Sequence, residues 1–104
     1  MRIGLDVSAK TIRRIAEGKC ECLALTKPIG KAGDYFLVGN EKYEIYATQE
    51  LPLATVFHKL RGKMGIEDPY EFMSDWKKDH KKEWDPLKDV WVIYFREVPY
   101  ELLH

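Results

Sequence analysis

The chain has 104 residues, about one domain's worth and too few for two cores of ordinary size. Apolar types make up 45% and charged types 33%, a balance that supports both a core and a solvated surface and is unlike a disordered tail. Seventeen basic residues against seventeen acidic ones give zero formal charge, which excludes a histone-like binder acting through bulk charge but permits a local basic face.

No apolar run approaches the roughly 20 residues of a membrane span, and the longest, residues 90–95, has the length of a strand. The opening MRIGLDVSAK contains no apolar core of a secretory signal, so the cytoplasm is the expected compartment. Cys20 and Cys22 are too few and too close for a disulfide framework, and reduced thiols suit that compartment.

Ile3, Leu5 and Val7 alternate with Arg2, Gly4 and Asp6, the period of a half-buried strand ending at Ser8. Ser8 then N-caps a short helix over residues 9–17, with Ile12, Ile15 and Ala16 on its apolar stripe and Gly18 as its left-handed stop. Lys10, Arg13, Arg14 and Glu17 fall on the solvated face. Residues 20–25 read as a strand bounded by Gly18 and by the breakers Pro28 and Gly30. After Gly33 and Asp34, the strand of Tyr35, Phe36, Leu37 and Val38 meets a two-residue turn, Gly39-Asn40. The strand over residues 43–47 completes a β-hairpin.

Pro52 closes the strand region, and Thr55 is placed to cap a short helix carrying Val56, Phe57 and Leu60 as far as Gly62. Asp68-Pro69-Tyr70-Glu71 announces a second, better-marked helix, with a cap, a proline at its first position and an acid at its third. Phe72, Met73, Trp76 and His80 continue it at three- and four-residue spacing, and Trp84-Asp85-Pro86 ends it. Residues 90–95 are apolar at every position, as in a central strand, and Pro99 stops them, leaving residues 100–104 as a tail. The pattern predicts an α+β fold in a single domain over residues 1–104. About five short strands form a curved sheet or small barrel, with about three short helices packed on one side.

Cys20 and Cys22 would lie on one face of their strand, half of a possible metal site. A closed zinc site needs four ligands, however, and His58, His80 and His104 are scattered, so two core thiols are the favoured reading and no metal is expected. His58 and His80 have no neighbouring serine, cysteine or carboxylate in an arrangement that marks a nucleophile and its base. Gly30, Gly33 and Gly39 do not form a phosphate-binding loop, and no cofactor is expected.

Charge is unevenly distributed along the chain. Lys10, Arg13, Arg14, Lys19, Lys27 and Lys31 face only Glu17 and Glu21 in the same stretch, an excess of +4, and Lys59, Arg61 and Lys63 form a second basic cluster. The compensating acids lie mainly in residues 67–75. A basic face with exposed aromatics such as Tyr35, Tyr43 or Trp84 is able to hold RNA by phosphate contacts and base stacking, whereas a solvated surface with core aromatics is the plainer reading.

The order of these pieces resembles the ASCH family, small domains of the PUA-like β-barrel superfamily. The resemblance runs through the first helix, Gly18-Lys19, Gly33-Asp34, the following hairpin, Leu51-Pro52-Leu53, the helix with Phe72 and Trp76, and the closing Val90-Trp91-Val92-Ile93-Tyr94-Phe95. It implies an RNA-related role and a cleft beside the first helix and the strand that follows it. Several members bind RNA or are inferred to, one branch hydrolyses acetylcytidine, and some are linked to RNA cleavage. The family signature after that helix is Gly-x-Lys-x-x-Glu-x-Arg. Here Gly18 is kept, but Cys20, Leu23 and Leu25 stand in place of the lysine, glutamate and arginine.

Cysteine and two leucines cannot supply the proton transfers that a lysine and a carboxylate would, and the adjacent Lys19 and Glu21 are one residue out of register on a strand. The acetylcytidine hydrolase activity is therefore not carried over. The leading expectation is a non-catalytic PUA-like module that binds RNA or a nucleotide-like ligand through Lys10, Arg13, Arg14, Lys19, Lys27 and Lys31. One alternative is a small hydrolase of a modified nucleoside or RNA, using Cys20, Lys19, Glu21 or His80. The other is a protein-interaction domain using Trp84 and the tail residues Tyr100, Leu102 and Leu103.

Overall fold

The computed structural model describes residues 1–80 and 84–99. In chain order these form α1 (Ala9–Ala16), β1 (Cys22–Leu25), β2 (Tyr35–Val38), β3 (Glu41–Pro52), α2 (Leu53–Thr55), α3 (Pro69–His80) and β4 (Asp89–Glu97). α2 runs on in π-helical form over Val56–Leu60, and a 3-10 turn follows at Gly62–Met64. The expected tail at residues 100–104, with His104, and the His80 side chain lie outside the described residues.

The strands form one antiparallel sheet in the order β1-β4-β3-β2, curled into a half-barrel. Among the described residues four strands stand where about five were expected. The apolar alternation of residues 3–7 gives half-buried Ile3, Leu5 and Val7 but no strand: Arg2 makes a single parallel bridge to Tyr35, where the Ile3 N–H donates to the Tyr35 carbonyl at 2.8 Å. Alternation reports that one side of a segment is buried, not that its backbone has a ladder partner. These three side chains pack on a core already present.

The α1 boundaries follow local chemistry. Ser8 Oγ accepts the Thr11 N–H at 3.2 Å, and at the other end the Lys19 N–H donates to the Arg14 carbonyl while Gly18 donates to that of Ile15. This paired closure needs a left-handed residue, which Gly18 supplies at φ 75. Gly39 at φ 62 likewise permits the tight turn that sets Val38 opposite Glu41.

β4 is central and buried on both faces, and its alternation divides the interior in two. Val90 and Val92 join Cys22, Ala24, Leu53, Val56, Phe72 and Trp76 under α2 and α3. Ile93 and Phe95 join Ile15, Leu23, Phe36, Tyr43 and Ile45 under α1 and the amino-terminal segment. Helices therefore cover both faces of the sheet rather than one. Tyr46 is the extra residue of a bulge between Ile45 and Ala47, where β3 bends.

Three local expectations are corrected by tertiary contacts. Thr55 makes no cap hydrogen bond, because the helix begins at Leu53, where the Leu53 and Ala54 N–H groups donate to the Lys88 and Pro86 carbonyls at 2.8 Å. Cys20 and Cys22 do not share a face. Cys20 precedes β1, outside the regular strand alternation, and Glu21 between the two donates its N–H to the Lys63 carbonyl; the two thiols enter different cores. Finally, Tyr43 is buried with its hydroxyl donating to the Ile15 carbonyl, Tyr35 is half-buried, and Trp84 is half-buried against Phe57 and Phe72. Tyr43 and Trp84, expected as exposed stacking aromatics, thus belong to the cores, while Tyr35 lies under the Lys42 ammonium.

Candidate functional site

β1 is an edge strand, paired with β4 on one side only. A cleft of about 400 Å³ opens beside it, bounded by residues 4–7, by α1 through Thr11 and Arg14, and by α3 through Phe72, Asp75 and Trp76. Leu23, Leu25, Leu5, Val7 and Ile29 make much of its surface apolar. The polar groups are few and grouped: Arg14 and Asp75 on the helices, with Asp6, Thr26 and Lys27 also lining it. A concave apolar space with a small set of converging polar groups is the usual form of a small-ligand site.

Arg14 and Lys10 stand one turn apart on α1 and face Glu71 and Asp75, one turn apart on α3. Arg14 Nη2 contacts Glu71 Oε1 at 2.5 Å and Asp75 Oδ2 at 3.3 Å. Lys10 Nζ contacts the same two oxygens at 2.8 and 3.4 Å. The hydrogen bond from Lys10 holds the Glu71 carboxyl below its ordinary range, and the same bond raises the Lys10 ammonium. Two cations and two carboxylates thus neutralise one another along the α1–α3 junction.

Of the six basic residues singled out in the sequence, two line the cleft and a third touches the same carboxylates as one of them. Arg14 and Lys27 line the cleft. Lys10 belongs to the ion network, and Lys19 points to Glu17 at 3.9 Å, outside the cleft lining. Lys31 donates its backbone N–H to Asp34 Oδ2. Arg13 and Lys27 make no ion pair among the described residues. Sequence reasoning missed Asp75 as a cleft residue; its place one turn after Glu71 on an acidic helix face was the available signal.

Cys20 touches the cleft but is only 4% exposed, and burial pushes its thiol up to about 12. Its Sγ donates to the Cys22 carbonyl at 3.2 Å. A thiol held protonated in this way is a poor nucleophile at neutral pH. Glu21 lines a second, more open groove of about 690 Å³, together with Glu17, Tyr46, Arg96 and Glu97. Among the described residues no group of three or more His, Cys, Asp or Glu side chains is arranged to hold a metal ion. No described helix is long and apolar enough to cross a membrane.

A crystal structure of an ASCH domain from Lactobacillus crispatus JV V101 superposes with a TM-score of 0.64 over 92% of this chain and 77% of that chain, at 11% identity. The fold is that of an ASCH domain. The crystal structure of the hypothetical protein PH0355 is similar as well, with a TM-score of 0.59 at 17% identity over 93% of this chain and 97% of that one. No protein-family model and no curated protein matches the sequence. In this ASCH fold the curled sheet leaves the β1 edge open, and α1 and α3 flank that opening. Leu23 and Leu25, two of the residues that depart from the family signature, line the cleft there, and so does the third, Cys20.

Proposed function

We propose that the domain is a non-catalytic module that binds RNA or a nucleotide-like ligand by taking one base into the cleft beside β1. The observation that carries this reading is the cleft itself, about 400 Å³, with Leu5, Val7, Leu25 and Ile29 offering apolar surface beside the nearly buried Leu23, Phe72 and Trp76, and Arg14 and Asp75 offering hydrogen bonds. A nucleobase needs that combination: a flat apolar face to stack or pack, and an edge to pair. Lys27 on the cleft lining and Arg13 on α1, both without ion-pair partners among the described residues, are available to phosphates.

The hydrolase reading lacks comparable support. Lys19 and Glu21 do not line the cleft, and Cys20 is held as a thiol.

Binding of short single-stranded RNA, measured across a salt series, tests the proposal. Saturable binding that weakens as salt rises, and that falls further when Arg13 and Lys27 are both changed to Glu, is the expected result. Absence of binding at low salt, or binding indifferent to both charge reversals, would sink it.

A further inference from the structure

Arg14 uses a single nitrogen for both of its carboxylate partners. Nη2 meets Glu71 and Asp75, while Nε and Nη1 have no hydrogen-bond partner among the described residues. Asp75 in turn engages Arg14 and Lys10 through Oδ2, and Oδ1 has no partner among the described residues. Both side chains line the cleft and both are largely sheltered, Arg14 at 11% and Asp75 at 24% side-chain exposure. Spare donors and a spare acceptor therefore belong to two side chains that touch each other, through Nη2 and Oδ2, at the junction of α1 and α3.

We infer that Arg14 and Asp75 form a donor–acceptor pair that selects an uncharged group bearing an N–H beside an acceptor, such as a nucleobase edge, and excludes phosphate from this wall of the cleft. The inference rests on the cleft being the ligand site. The positive charge that would attract a phosphate here is already matched: Arg14 and Lys10 face Glu71 and Asp75, two against two. An anion drawn to Arg14 would have to displace a carboxylate or sit beside one in a partly dry space, and either is costly. An uncharged edge meets no such repulsion. Its N–H donates to Asp75 Oδ1 and its acceptor takes a hydrogen from Arg14, with the existing ion network left in place.

This arrangement gives the two polar ends of a bound nucleotide different destinations. The base goes to the neutral pair, and the phosphate goes to Lys27, away from that wall. Glu71 and Lys10 act as positioning residues, because they hold Arg14 and Asp75 at the junction and balance their charge.

Isotope-labelled protein, followed by the Arg14 Nε–H signal and the backbone amides of residues 23–27, tests the inference with uncharged nucleosides and inorganic phosphate as separate probes. Nucleosides are expected to shift both sets of signals, and phosphate to leave the Arg14 signal in place. Asp75→Ala is expected to weaken nucleoside binding about ten-fold, the scale of one lost hydrogen bond to a charged group. In Glu71→Gln/Asp75→Asn, where Arg14 is no longer neutralised, phosphate is expected to shift the Arg14 signal. Retained amide dispersion in each variant establishes that it is folded. Nucleosides that move the cleft amides equally well in Asp75→Ala would overturn the donor–acceptor pair while leaving the cleft as the ligand site. A wild-type Arg14 signal that responds to phosphate as it does to nucleoside would do the same. If nucleosides leave every cleft amide unmoved, the pair and the proposed ligand site both fall.

Discussion

Arg14 and Glu71, 57 residues apart in the chain, meet at 2.5 Å, the guanidinium Nη2 donating to Oε1. The contact ties the last turn of α1 to the first turn of α3 and so fixes two walls of the cleft against each other. It also sets a cation near one helix's carboxyl end and an anion near the other's amino end, the favourable sense for both backbone dipoles.

Replacing Arg14 by Met keeps much of the side-chain bulk and removes the tie. Because Glu71 and Asp75 are partly solvated, screening tempers the loss, and a destabilisation of about 1–2 kcal/mol is expected. Urea unfolding with an unchanged slope and a lower midpoint would register it. A midpoint equal to that of the wild type would show that the contact contributes nothing net.

The same junction makes stability depend on acid. The Lys10 hydrogen bond depresses the Glu71 pKa below its ordinary 4.5, so this contribution is fully present above 4.5 and is lost as pH falls through the lower folded-state value. A carboxyl-carbon NMR titration should place Glu71 below 4.5 in the wild type. In Lys10→Met it should move back upward. An unchanged Glu71 titration in that variant would refute the assignment to Lys10.

Burial should protect both cysteines. Cys20 and Cys22 are 4% and 0% exposed, and burial pushes their thiols up to about 12 and about 11. At neutral pH a disulfide reagent such as Ellman's should label the folded protein slowly and label two thiols at once in denaturant. Rapid reaction of either thiol in the native state would contradict this and would reopen Cys20 as a nucleophile.

Gly65 and Gly62 should respond oppositely to alanine. Gly65 has φ +78, and a Cβ there would lie 2.9 Å from the Lys19 carbonyl oxygen, a backbone atom just before β1 that cannot swing aside. Gly65→Ala is expected to cost about 1–3 kcal/mol, which in a domain of this size lowers Tm by roughly 4–8 °C per kcal/mol. Gly62 has nothing within 4 Å of its would-be Cβ. Gly62→Ala should therefore be neutral or slightly stabilising, since it restricts the unfolded chain. Equal effects at the two positions on a thermal melt would count against this geometry.

What the sequence determined by itself is the set of features written in neighbouring residues. Ser8 and Gly18 bound α1, Gly39-Asn40 turns the hairpin, Asp68-Pro69 starts α3, and the unbroken apolar run of residues 90–95 occupies the middle of the sheet. Each depends on one backbone conformation, one short hydrogen bond or one burial period, and the ASCH-type order of elements follows from their succession. Tertiary structure decided what such signals do not encode, namely which distant group each residue meets. The alternating residues 3–7 found a core but no ladder, the two cysteines parted into separate cores, and Lys10 and Arg14 met carboxylates on α3 instead of standing as an open basic face. Charge along a chain is a sum over residue types, whereas the field in a cleft depends on distances of a few ångströms between helices far apart in sequence. Only the packing of α1 and α3 about the β1 edge sets those distances.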